Sequence, residues 1–247
     1  MIYLQRDEKI IERRRGAVLR WASAISFILA LALALLTFFM MLPQVQQSLD
    51  RLDSFFLSVE MFIARFDKLA AFGVVMLLFV TKSFVSVIPF SVLFVGTGLV
   101  FPVPAAVLIN ALGYALFANI KFSWSRKFGG GKAYDVMMRF SLVKKFMALE
   151  GKGNGWTLLL LTSVPCVPLG TLCRAYGATE MDRRVFTGLA VAGFLPRLVS
   201  WSIVGRNMTQ PFTVGFTMPI IFLLIISGAS LLLLDTIFKL IRKEDGQ

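Results

Sequence analysis

Three basic residues stand inside apolar stretches of this chain: Lys82 in LLFVTKSFVSVIPF, Arg174 in LGTLCRAYG and Arg197 in GFLPRLVSW. An ionised side chain in an apolar span is costly, so it is normally found where it meets an opposite charge or a polar cavity. Between Leu69 and Thr179 the acids are Asp135 and Glu150, both within the basic stretch from Lys121 to Lys152. No carboxylate on the apolar segments can neutralise the three cations. The chemistry they offer is recognition of an anion brought from outside the chain, such as a lipid phosphate, for which guanidinium and ammonium groups are suited. A second reading stays open at each position. A long basic side chain can run its stem along apolar surface and put its charge at the membrane interface.

Other chemistries are short of parts. The chain has no histidine, which removes the commonest general base and metal ligand. Cys166 and Cys173 lie in the apolar segment without acidic or imidazole neighbours, a pattern that suits packing and not a zinc site. No metal, cofactor or catalytic constellation is expected, and the protein is not expected to be an enzyme.

The elements that must hold these cations are membrane helices. The chain is 57% hydrophobic, with a mean hydropathy of +0.77, too apolar for a soluble globule. Spanning the hydrocarbon core takes about 20 apolar residues. Trp21 to Leu42 and Phe216 to Leu234 carry no charge at all. Arginines before the first and basic residues after the second mark it as an uncleaved anchor and the second as a C-terminal span. The net charge of +12 then points to cytoplasmic loops and anionic headgroups, and not to nucleic acid.

Charge also sets a topology. The first twenty residues hold six Lys/Arg, and the stretch 121–152 holds eight against two acids, so both are expected in the cytoplasm with the C-terminus. Residues 43–68, with three basic and four acidic side chains, fit the far side. An odd number of crossings must therefore lie in 69–121 and again in 155–206. One crossing plus one re-entrant hairpin satisfies each. VIPFSVLFVGTGLVFPVP and VPCVPLG are the expected hairpin breaks, because proline removes a backbone donor and blocks the preceding helical turn. Backbone so exposed is tolerated at membrane depth only inside protein or beside a water-filled cavity. Two amphipathic interfacial helices are expected, over 43–68 and Lys132 to Leu149.

The two broken regions have similar landmarks. Pro89, Gly98, Gly113 and Arg126 recur as Pro168, Gly177, Gly193 and Arg206 after a shift of 79 or 80 residues. The expected fold is an all-α multi-pass membrane protein. It comprises about four full spans, interfacial helices and an inverted repeat with two re-entrant hairpins, an arrangement common in transporters. The boundaries read as a cytoplasmic tail over 1–20, an anchor over 21–42 and an amphipathic helix over 43–68. The repeat unit follows over 69–206, then a C-terminal helix over 215–238 and a cytoplasmic tail over 239–247.

At these motifs the chain resembles the DedA/VTT superfamily, also called SNARE-associated Golgi proteins. The matching residues are Pro89, Gly96, Gly98, Phe101, Gly113, Arg126 and Gly129 in the first half. In the second they are Pro165, Pro168, Gly177, Phe186, Gly193, Pro196 and Gly205. Thr162 replaces the arginine usual before the second hairpin, Cys173 stands at an asparagine position, and the first-hairpin acid of many bacterial members is missing near Lys82. The resemblance implies phospholipid scrambling or flipping of a polyprenyl-phosphate carrier, in a bacterial inner membrane with both termini cytoplasmic. The missing acid favours passive scrambling over proton-coupled flipping. Pro89, Pro165 and Pro168 would shape the hairpins, Gly96, Gly98 and Gly177 would allow close approach, and Lys82, Arg126, Arg174 and Arg197 would face the headgroup. The alternative is an assembly or membrane-integrity factor that recruits partners through its basic loop. The sequence sets no oligomeric state.

Overall fold

A computed structural model describes residues 2–40, 67–85, 88–128, 155–163, 169–210 and 213–244. These residues form eight helices and no strands: α1 (Ile2–Met40), α2 (Lys68–Phe84), α3 (Phe90–Val100), α4 (Val103–Phe128), α5 (Gly155–Ser163), α6 (Leu169–Gly177), α7 (Arg183–Arg206) and α8 (Val214–Glu244). Four are long and apolar enough to cross a membrane, over Ala17–Phe39, Val103–Phe128, Arg183–Arg206 and Val214–Leu233. The protein is a multi-pass integral membrane protein. The expected amphipathic helices over 43–68 and 132–149 lie outside the described residues, apart from the Asp67–Lys68 start of α2.

Local chemistry sets the boundaries. The Asp67 carboxylate accepts the Leu69 and Ala70 amides at 3.3 and 3.2 Å and starts α2. α2 stops at Val85, ahead of Pro89, whose φ of −66° and ψ of 146° make it the extended N-cap of α3. α3 ends at Phe101, before Pro102. At about 1.5 Å per residue its 11 residues reach roughly half of a ~30 Å hydrocarbon core. α5 and α6, of 9 residues each, are shorter still. Asp182 caps α7, and the amides of Arg184 and then Val185 hold its exposed carboxyl below the usual range.

α7 is the centre of the bundle: α3, α4, α5 and α8 pack on it, while α4 also receives α2 and α6, and α1 lies along α8. The core is aromatic. Tyr114 of α4 stacks on Phe194 of α7 at 4.7 Å, and Phe122 on Phe186 at 4.4 Å. Outside it, Ser23 donates to the Gly228 carbonyl at 2.9 Å and ties α1 to α8. Trp21, Ile28, Leu31 and Phe38 of α1 are exposed, as a lipid-facing surface requires.

Candidate functional site

Broken helices leave main-chain carbonyls without amide partners, and these carbonyls attract cations. Lys82, in the last turn of α2, is 7% exposed. Its ammonium donates to the Ile88 carbonyl across the break and sits over the Phe90 ring, 4.3 Å from the centroid. Arg197 on α7 donates through Nη2 to the carbonyl of Ser163, the last residue of α5, at 3.1 Å. Arg126, near the end of α4, reaches three carbonyls around the α6 terminus: Gly177 at 3.5 Å, Thr179 at 2.8 Å and Met181 at 2.7 Å. Each of these sequence-predicted cations thus serves the backbone at a helix end. For Arg126 this is the dominant engagement.

Arg174 is different. It is exposed on α6, and its guanidinium has no hydrogen-bond acceptor among the described residues. Its own carbonyl accepts Ser125 Oγ at 2.5 Å, which seats α6 on α4.

Of the expected hairpin-shaping residues, Pro165 and Pro168 lie outside the described residues, and Pro89 is the N-cap of α3. Gly98 backs onto the Ser202 main chain of α7, where a Cβ would collide with backbone. Gly177 lies as closely against α4: a Cβ there would fall 2.5 Å from the Phe122 carbonyl oxygen and 2.8 Å from Ser125 Cβ. Gly96 corrects an expectation. A Cβ there meets nothing within 4 Å among the described residues, so Gly96 makes no close approach to any of them. Two positions further along a helix of about 100° per residue, Gly98 faces nearly the opposite way.

Residues 88–207, spanning α3 to α7, match the VTT domain. These residues form the DedA/SNARE-associated Golgi family domain. Searches of the curated proteins and of the solved structures found no match. The matched domain starts at Ile88, so α2 and its Lys82 precede it, whereas the expected repeat unit starts at residue 69.

Two residues of this VTT domain were missed in the sequence. Lys121 on α4 is 5% exposed, yet it opens what reads as a basic cytoplasmic loop. Its spacing of four from Phe117 was the available signal, since helical neighbours at that interval share a face. Lys121 Nζ lies 6.0 Å from the Phe117 centroid, and Lys82 Nζ also lies 6.0 Å from that ring. Asn110, fully buried, donates to the Phe94 carbonyl at 3.3 Å and to Ser202 Oγ at 2.9 Å, joining α3, α4 and α7. A side-chain amide in the middle of an apolar span was the sign of it. Asn110 Oδ1 and the Tyr114 hydroxyl are buried without a hydrogen-bond partner among the described residues. An open cavity of about 570 Å³ at the α6–α7 turn, lined by Asn119, Asp182 and Arg183 among others, shares no residue with these groups.

Proposed function

We propose that this protein moves anionic lipid headgroups, of phospholipids or of a polyprenyl phosphate, between the leaflets of a bacterial inner membrane. The headgroup travels a polar furrow between the two broken regions while the acyl tails stay in the bilayer. One observation carries the reading: α2 to α7 hold Lys82, Lys121 and Arg174 at or near the breaks and contain no Asp or Glu. Cations without counter-ions on these helices call for a mobile anion. The same absence of acids favours passive scrambling over proton-coupled flipping.

The furrow is the interface of an inverted repeat with two re-entrant hairpins, α2–α3 and α5–α6, and both termini lie in the cytoplasm. Exchanged contacts support this. Gly98 of the first half packs on Ser202 of the second, and Gly177 of the second packs on Phe122 of the first; the two pairs are related by shifts of 79 and 80 residues. Gly113 against Phe79 recurs as Gly193 against Leu159, both shifted by 80. The Gly205 contact with the Val95 carbonyl recurs as the bond from Ser125 to the Arg174 carbonyl. Each half seats its short helix on the long helix of the other.

Reconstitution tests the function. Vesicles holding the pure protein and a head-labelled phospholipid should lose inner-leaflet protection from an impermeant quencher within minutes, whereas empty vesicles keep it. Equal protection with and without protein would overturn the assignment.

A further inference from the structure

We infer that Arg206 is the disengaged counterpart of the Arg126 clamp, and that the protein exchanges two states in which one arginine or the other holds the end of a short helix. The inference deepens the transport reading, since the exchange opens and closes the furrow, and it rests on the inverted repeat.

The two short helices start alike and end differently. α6 runs over Leu169–Gly177, and a shift of 79 residues places its counterpart over 90–98. α3 starts at that position, Phe90, but continues to Val100, so it has 11 residues against 9. At the end of α6 the chain tightens. The Ala178 and Thr179 amides donate three residues back, to the Ala175 and Tyr176 carbonyls, each at 3.1 Å. The carbonyls of Gly177, Thr179 and Met181 then face Arg126, which takes all three. The last turn of α3 stays α-helical, with the Phe101 amide donating four residues back to Thr97 at 3.0 Å.

An arginine stands ready at this second end. Arg206 follows Arg126 by 80 residues. The residue before each seats on the opposite short helix in the same way: Ser125 holds the Arg174 carbonyl, and Gly205 lies against the Val95 carbonyl and Gly98. Yet Arg206 is exposed and makes no hydrogen bond among the described residues. Acceptors are ready too. The helical donors four residues after Gly98 and Val100 would be Pro102 and Pro104, which have no amide. Once the last turn of α3 tightens as that of α6 has, Gly98, Val100 and Phe101 stand to Arg206 as Gly177, Thr179 and Met181 stand to Arg126.

Two halves of one fold have the same end-states open to them, so the described asymmetry has a mirror image of similar energy. Tyr114 on Phe194 and Phe122 on Phe186 stack α4 and α7 into one unit, so a tilt that brings one arginine to its short helix takes the other away. In the mirror state Arg206 clamps α3, and Arg126 releases α6. With the stretch after α4 in the cytoplasm, α6 ends towards the cytoplasmic face and α3 towards the far one. The exchange therefore turns the opening of the furrow from one leaflet to the other.

Hydrogen exchange of the purified full chain in detergent, read by mass spectrometry over residues 97–101, tests this without a lipid assay. Arg126→Gln should favour the mirror state, in which the Phe101 amide leaves Thr97, and speed exchange there about threefold or more. Arg126→Gln combined with Arg206→Gln should return it to the wild-type rate, because Arg206 is what holds the tightened turn. Unchanged exchange in Arg126→Gln, or a rise that persists in the double variant, overturns the inference. If Arg126→Gln does not fold, Arg206→Gln decides: exchange below the wild-type rate supports the switch, and an equal rate overturns it. Arg206→Gln should also keep the wild-type unfolding midpoint and slow lipid movement in vesicles about tenfold. Movement at the wild-type rate in that variant would leave transport standing and overturn the inference. Arg206-dependent exchange in a protein that moves no lipid would remove the transport reading and leave the switch.

Discussion

Arg126 illustrates what residue type alone conveys. A basic residue near a glycine-rich break looks like a phosphate ligand in the sequence. In the folded chain its guanidinium spans the carbonyls of Gly177, Thr179 and Met181, which the end of α6 leaves without amide partners. It also lies over the Phe122 ring, 4.5 Å from the centroid. The fixed fork of donors makes such a clamp, and a lysine could not copy it. Arg126→Ala should cost about 1–2 kcal/mol, with the partly solvated guanidinium at the lower end for charged hydrogen bonds. Arg126→Lys should recover only part of that. Thermal unfolding in detergent reads both, and an unchanged midpoint for Arg126→Ala would show that the clamp is idle. Lys121 is the converse case. Its place at the head of a basic run hides that its side chain turns into the core, because charge runs give no sign of which helical face each member occupies.

Among the elements, the breaks were legible and their packing was not. Proline positions mark where α2 and α3 end, through the lost amide and the restriction on the preceding residue. The glycines of VGTGLV look equivalent in sequence, and only the helix phase separates them. Gly98 lies against the main chain of Ser202, which cannot yield as a flexible side chain would, whereas no described residue lies within 4 Å of a Cβ at Gly96. Gly98→Ala should therefore destabilise by about 1–3 kcal/mol, the usual cost of overpacking. Gly96→Ala should be neutral or stabilise by up to about 1 kcal/mol, because glycine is a poor helix former. Opposite shifts in unfolding midpoint would verify the seating of α3 on α7. Shifts of the same sign and size would contradict it.

At the scale of the molecule, four spans and two short broken regions follow from hydropathy and proline spacing. The partners of each piece do not, because pairing of helices is decided by small residues and ring contacts far apart in sequence, such as Gly205 with Val95 or Tyr114 with Phe194. The account's central claim is that α5 and α6 are limbs of a hairpin that lines an aqueous cavity open to the cytoplasm. The most direct measurement places single cysteines by Ser163→Cys and by Thr171→Cys, in a background where Cys166 and Cys173 are replaced by alanine. An impermeant thiol reagent is then added to one face of oriented membranes at a time. Ser163 ends α5 and Thr171 lies in the first turn of α6. Both positions should react from the cytoplasmic face. Reaction of the first only from inside and of the second only from outside would make this segment a plain transmembrane crossing, and the hairpin and the furrow would both fall.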